Sequence, residues 1–221
     1  GRITTEVVRR VAEYLTSRQV RQDEVLLKED GTPLTVVDVK SQIDLWLAEL
    51  GAENPEGCIF AIGRDAGIPH SAGTPSDQIR LGKTIVFDIY PCEAGGGYFY
   101  DFTRTWSLGY ATLEAQALYD EVHSVHKKVM ENLDLNAPYK DYQRMVCEEY
   151  EKNGHQTPLS TPAPVEGYVH SLGHGLGLNV HERPWSGLTS TDDNLLKPGV
   201  VMTIEPGLYY PEKGMGVRIE D

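Results

Sequence analysis

The stretch Val86-Phe87-Asp88-Ile89-Tyr90 places an aspartate in the middle of a run that otherwise belongs in an apolar interior. The β-branched residues from Thr84 to Tyr90 predict a strand. A carboxylate inside such a strand is costly unless it is paired or bound to a cation. Glu93-Ala94-Gly95-Gly96-Gly97 reads as a turn, and Tyr98 to Trp106 as the returning strand, which carries Asp101. A hairpin centred between Ala94 and Gly95 sets Asp88 directly opposite Asp101. Opposed residues have β-carbons about 4.5–5.5 Å apart, so the two charges repel and a bridging divalent cation removes the penalty.

The same arrangement recurs near the end of the chain. Val200 to Tyr209 predicts a strand, Pro211-Glu212-Lys213-Gly214 a turn, and Gly216 to Glu220 the start of a return. A centre between Glu212 and Lys213 sets Glu205 opposite Glu220. One acid in one strand is more often an exposed residue or an ion-pair partner. Two hairpins that each pair two acids point instead to cation binding.

Between the hairpins, His170-Ser171-Leu172-Gly173-His174-Gly175-Leu176-Gly177-Leu178-Asn179-Val180-His181-Glu182 holds three of the seven histidines. Glycines 173, 175 and 177 would let the backbone approach a ligand closely. Imidazole suits zinc, manganese, iron or cobalt, and four oxygens with one nitrogen suit the harder of these. His123 and His126 are expected on a solvated helix face, and His155 in a helix-ending turn has no assigned role.

The remaining chain supports one α+β domain over residues 1–221. Ile3, Val7, Val11 and Leu15 form an apolar stripe of a helix from Ile3 to Arg18. Thr35 caps a second helix through Val36, Val39, Ile43 and Leu47 that Gly51 stops. A short strand is expected at Cys58 to Ile62. Helices follow from Leu113 to Leu133, capped by Thr112, and from Tyr139 to Lys152. The order helix, helix, carboxylate hairpin thus occurs twice, as two halves closing around one site. The net charge of −13 with no basic stripe argues against a nucleic-acid partner. No apolar run is long enough to span a bilayer, so no membrane partner is expected and a cytoplasmic location is. Cys58, Cys92 and Cys147 have neither metal-binding nor redox spacing. Both ends read as cut, so the chain is expected to be a fragment without its C-terminal end.

Together these residues resemble the pita-bread metallopeptidases of the M24 type: methionine aminopeptidase, prolidase and aminopeptidase P. The carrying stretches are Phe87-Asp88-Ile89-Tyr90, Asp101-Phe102-Thr103-Arg104-Thr105, His174-Gly175-Leu176-Gly177, Thr203-Ile204-Glu205-Pro206-Gly207 and Val217-Arg218-Ile219-Glu220-Asp221. The resemblance implies the pita-bread fold, with two pseudo-symmetric helix-helix-hairpin halves around a curved antiparallel sheet. It implies two divalent metal ions, manganese foremost, with cobalt, zinc or iron as the alternatives. Asp88 resembles the chelating ligand of one metal, Asp101 and Glu220 the bridging carboxylates, and His174 and Glu205 the ligands of the other. Glu205 also resembles the residue that handles the proton of the attacking water. His181 resembles the histidine that contacts substrate and tetrahedral intermediate, and His70 the one near the scissile peptide. The gap between Asp88 and Asp101 is two residues longer than the family's usual one, an excess the turn can absorb.

His170 and Arg218 resemble substrate-binding positions of the proline-directed branch, most like aminopeptidase P and prolidase, whose usual additional N-terminal domain is expected to be absent from this fragment. The implied activity is hydrolysis of the N-terminal, Xaa-Pro peptide bond by a hydroxide shared between the metals. The implied partner is a peptide, and a homodimer is compatible. Arg218 could instead only neutralise Glu220 or Glu205, and His170 only support its loop. Two other functions stay open: a methionine aminopeptidase or hydrolase of other specificity on the same fold, and a non-catalytic pita-bread binding module.

Overall fold

The apolar stripes become the inner faces of four helices in a computed structural model that describes residues 1–221. In α1 (Arg2–Thr16) the buried positions are Thr4, Val7, Val11 and Leu15, while Ile3 is only partly covered. In α2 (Val36–Glu49) they are Val36, Val39, Ile43 and Leu47. Its start is held as expected: the Thr35 backbone N–H donates to Asp38 Oδ2 at 2.9 Å, half of a capping box. A minimal strand β1 (Ala52–Glu53) and β2 (Cys58–Ile62) follow, then β3 (Thr84–Ile89), β4 (Cys92–Glu93) and β5 (Phe102–Ser107). The second half opens with α3 (Leu113–Glu131), whose first turn donates from Ala115 N–H to the Thr112 hydroxyl at 3.1 Å, and α4 (Tyr139–Lys152). Short strands β6 (His174–Gly175), β7 (Glu182–Trp185), β8 (Gly207–Tyr210) and β9 (Met215–Arg218) complete the chain.

Each helix pair packs on its own hairpin. Val7, Val11, Ile43 and Leu47 meet Phe60, Ile85 and Phe87 in one apolar core. Val122, Val129, Val146 and Tyr150 meet Leu208, Val217 and Ile219 in the other. The expected two-half architecture is therefore present in the packing. Strands run in the order β2-β3-β5, all antiparallel. β9 joins the free side of β5 through Thr105, whose hydroxyl donates to the Arg218 carbonyl and accepts from the Arg218 N–H, both at 2.9 Å. β8 pairs with β9 as a separate two-stranded sheet, which meets the first sheet at a single antiparallel bridge between Thr103 and Glu220. No helix is long and apolar enough to cross a membrane.

Two expectations fail here. His126 is buried, with its ring 3.6 Å from Asp221. It lies four residues after buried Val122 and eight after Leu118, so helical spacing puts it on the inner face. The strand expected from Val200 to Tyr209 becomes regular only at Gly207. Before that the backbone runs beside the histidine stretch, where Leu176 N–H donates to Val201 O at 3.0 Å and Thr203 N–H to His174 O at 2.9 Å.

Candidate metal centre

Strand register decides how close the acids come. In the β3–β5 hairpin the residue opposite Asp88 is Thr103, not Asp101. The pairing is thus offset by two residues from the expected one, because the turn centres on Gly95-Gly96, both of which adopt positive φ. A two-residue offset keeps the same face, so Asp101 becomes a diagonal neighbour of Asp88 on the same side. Both aspartates are buried.

The second hairpin has the expected register. Gly207 opposes Arg218 and Leu208 opposes Val217. Pairing continues past the regular strands, since Ile204 N–H donates to Asp221 O at 2.9 Å. Glu205 and Glu220 therefore stand across from one another. Glu220 is tied to the first hairpin: its backbone N–H donates to Thr103 O at 3.1 Å, and the Thr103 hydroxyl donates to Glu220 Oε2 at 2.6 Å. Arg104 holds the same segment through a 2.7 Å bond to the Glu220 carbonyl.

His174 enters from β6. Its Nδ1 lies 3.0 Å from the Gly175 carbonyl, which can only accept, so Nδ1 carries the proton and Nε2 presents a lone pair. That Nε2 sits 3.4 Å from Glu205 Oε1 and 3.8 Å from Asp101 Oδ2. Ligand atoms of Asp101, His174 and Glu220 all lie within 4.8 Å of one another. The glycines around His174 serve a purpose other than the expected approach to a ligand. A β-carbon on Gly173 would fall 2.2 Å from Thr203 O, and one on Gly175 2.0 Å from Arg183 O. They let three backbone segments pack against each other.

The electrostatics of these residues fit divalent cations. Asp88 Oδ1 and Asp101 Oδ1 are buried and have no hydrogen-bond partner, a costly state for a carboxylate oxygen. Burial, reinforced by Glu220, pushes the Asp101 carboxyl well above its ordinary range. Burial and the Asp88 charge push Glu220 up to about 8, and burial with Glu220 raises Glu205. Burial lowers His174 to about 4, so its imidazole is neutral near pH 7. A neutral imidazole lone pair facing carboxylate oxygens is repulsive by itself and favourable around a shared cation. Asp88, Asp101, His174, Glu205 and Glu220 are the residues that could hold it.

The other expected site residues line the same cleft, which encloses about 300 Å³. Arg218 is buried and pairs with Asp88, Nη2 to Oδ2 at 2.6 Å, rather than with Glu220 or Glu205 as the bland expectation had it. Its Nη1 donates to Tyr209 Oη at 2.9 Å and to the Pro69 carbonyl at 3.1 Å, next to His70. His170 Nε2 lies 2.8 Å from Tyr209 Oη, and its Nδ1 lies 2.7 Å from the Ser171 carbonyl. Both ring nitrogens are thus engaged inside the chain, leaving the ring face for contact across the cleft. Burial lowers His170 to about 3. His70 and His170 rings are 6.5 Å apart, and His174 and His181 rings 4.3 Å apart. His70 and His181 are exposed at the rim.

Sequence reasoning overlooked Thr103, Arg104 and Tyr209 as parts of the site. Parity offered a signal for Thr103, since it lies two residues from Asp101 on the same strand face. Thr103→Val keeps the shape and removes the 2.6 Å bond that orients Glu220. Metal affinity measured by competition with a chelating dye is expected to fall by about 10–100-fold, and an unchanged affinity would remove Thr103 from this role.

The chain matches metallopeptidase family M24 over residues 1–221. It is 32% identical over 186 residues to the Xaa-Pro dipeptidase of Pyrococcus furiosus, covering 83% of this chain and 49% of that protein. Among solved structures, the prolidase of Pyrococcus horikoshii OT3 superposes with a TM-score of 0.79 at 27% identity, covering 100% of this chain and 55% of that one. The X-Pro aminopeptidase of Thermotoga maritima superposes with a TM-score of 0.75 at 26% identity, covering 97% and 54%. The chain belongs to metallopeptidase family M24 and has the pita-bread fold of its prolidase neighbours. It spans about half the length of the curated relatives it matches.

Proposed function

We propose that this chain is the catalytic part of a dinuclear metal-dependent peptidase that cleaves the N-terminal Xaa-Pro bond. The observation that carries the reading is the gathering of Asp88, Asp101, His174, Glu205 and Glu220 around one cleft, with two buried aspartate oxygens lacking any partner. Asp88 would hold one cation and His174 with Glu205 the other, while Asp101 and Glu220 would bridge them. Two such cations supply Lewis acidity and lower the pKa of attacking water toward neutrality.

The chain's own residues divide the remaining work. Glu205 takes the proton of the attacking water and passes it to the departing nitrogen. With proline in the second position that nitrogen is the ring amine, which leaves only once protonated. His181, exposed beside the His174 ring, donates a hydrogen bond to the carbonyl oxygen as charge builds there. His70 stands on the loop that Arg218 clamps at Pro69, where it can fix the peptide. His170 and Arg218 define the wall against which the substrate rests.

The relatives bear on substrate length. The sequence resemblance favoured an aminopeptidase, whereas the Pyrococcus relatives are Xaa-Pro dipeptidases. That favours dipeptides as the substrate class. Metal-replete protein is expected to cleave Ala-Pro faster than the tripeptide Ala-Pro-Ala and to leave Met-Ala intact. Cleavage of Met-Ala but not Ala-Pro would replace this reading with the methionine aminopeptidase one. His181→Ala is expected to retain its metals and lose about 10²–10³-fold in kcat, the usual loss of one oxyanion donor. Unchanged turnover would exclude His181 from the chemistry.

A further inference from the structure

We propose that Glu56 makes the cleft select for a basic residue, lysine or arginine, at the N-terminal position of its substrate. The inference rests on the peptidase reading above and adds a specificity to it. Its basis is the path that leads outward from the metal centre. Ile59 on β2 is the cross-strand partner of Asp88, so its side chain lies on the same sheet face, next to the candidate metal ligand. Three residues upstream, past a turn at Gly57 with φ +76°, Glu56 lines the same cleft together with Ile59 and Tyr90.

The carboxylate of Glu56 is exposed. It takes no part in the ion pairs that hold other surface acids, such as Glu49 with Arg10 or Glu212 with Arg64. Two divalent cations would offset the four carboxylates of Asp88, Asp101, Glu205 and Glu220. Arg218 on the far wall is already engaged with Asp88 and Tyr209. Glu56, on the Ile59 side, pairs with no Lys or Arg of the chain, Arg218 being the only such residue lining the cleft. Beside the candidate metal ligand Asp88, the same wall thus offers an apolar surface at Ile59 and an anion at Glu56. An apolar stem ending in a cation, as in lysine and arginine, matches that sequence of surfaces.

The test compares Arg-Pro with norleucine-Pro, which share a long stem and differ in the terminal charge. The metal-loaded protein is expected to favour Arg-Pro in kcat/KM by about fivefold, the scale of one partly exposed ion pair. The preference should shrink as ionic strength rises toward 1 M. Glu56→Gln should bring the ratio near one, Glu56→Asp should keep most of it, and Glu56→Lys should invert it. Calorimetric binding of free L-arginine and L-norleucine to the same proteins gives a second readout that needs no turnover. Cleavage of both peptides at equal kcat/KM by the wild type, or a ratio unmoved in Glu56→Gln, overturns the inference and leaves the Xaa-Pro reading standing. Glu56-dependent preference for arginine binding in a protein that cleaves no Xaa-Pro peptide supports the role of Glu56 and overturns the peptidase reading.

Discussion

Glu220→Ala is expected to cleave Ala-Pro at least about 10³-fold more slowly than the wild type, because loss of the proposed bridging ligand would remove several kcal/mol of charge stabilisation at about 1.4 kcal/mol per decade. Glu220 is buried, accepts a hydrogen bond from the Thr103 hydroxyl and donates its backbone N–H to the Thr103 carbonyl. Its removal would leave Asp88 and Asp101 facing an incomplete centre while the hairpin backbone, held by Arg104 and Thr105, stays in place. The folded state can be checked by circular dichroism and the metal content by elemental analysis. Full activity in a folded Glu220→Ala protein would refute the ligand assignment. The same outcome is expected of Asp101→Ala, whose Oδ1 has no other partner in the chain.

The second large effect is on stability, and its sign depends on pH. In metal-free protein, burial and like charges raise Glu220 from an ordinary 4.5 to about 8 and raise Asp101 and Glu205 in the same direction. A carboxyl whose folded pKa exceeds its unfolded value binds its proton more tightly in the folded state. The stabilisation is complete below the unfolded pKa and is lost as pH rises through the folded one. Neutral His170 and His174, held near 3 and 4, add stability as pH rises toward 6.5, so the carboxyl effect stands alone above that: metal-free protein should melt at a lower temperature at pH 8.5 than at pH 7. Metal binding has the opposite trend, since the carboxylates must be deprotonated to bind. Manganese at about 100 times its dissociation constant adds about 2.7 kcal/mol per site. For a domain of this size two sites correspond to a rise of about 10–20 °C in Tm, larger at pH 8.5 than at pH 5.5. A metal-free Tm that climbs steadily from pH 7 to 8.5 would contradict the buried acid cluster.

The acids were legible in the sequence because a carboxylate in an apolar strand is a conspicuous expense. Phe87-Asp88-Ile89 and Ile204-Glu205-Pro206 announce themselves without any alignment. The second hairpin's register was readable because the turn Pro211–Lys213 closes on Gly214, whose positive φ ends it sharply. The first hairpin's register was not, because Gly95, Gly96 and Gly97 give the turn no single preferred centre. The error was two residues, and strand parity kept Asp88 and Asp101 on one face.

Other features depend on contacts between segments far apart in the chain, which local pattern does not encode. Nothing near Arg218 indicates that it pairs with Asp88, 130 residues away. The glycines flanking His174 look like ligand contacts in sequence and prove to be sites where the backbones of Thr203 and Arg183 press close. His126 is different: its spacing from Leu118 and Val122 marked it as inward-facing, and only its polarity pointed the other way. The extended segment before Gly207 lacks regular strand pairing because it is shared between the His174 backbone on one side and Asp221 on the other.

The central claim is that one cleft binds two cations through Asp88, Asp101, His174, Glu205 and Glu220. Its most direct test is anomalous scattering from crystals of manganese-loaded protein, collected at the manganese edge. Two peaks per chain, each in contact with ligand atoms from this set and both touching Asp101 and Glu220, are the predicted result. A single peak elsewhere on the surface, or no density between the five side chains at saturating manganese, would contradict it.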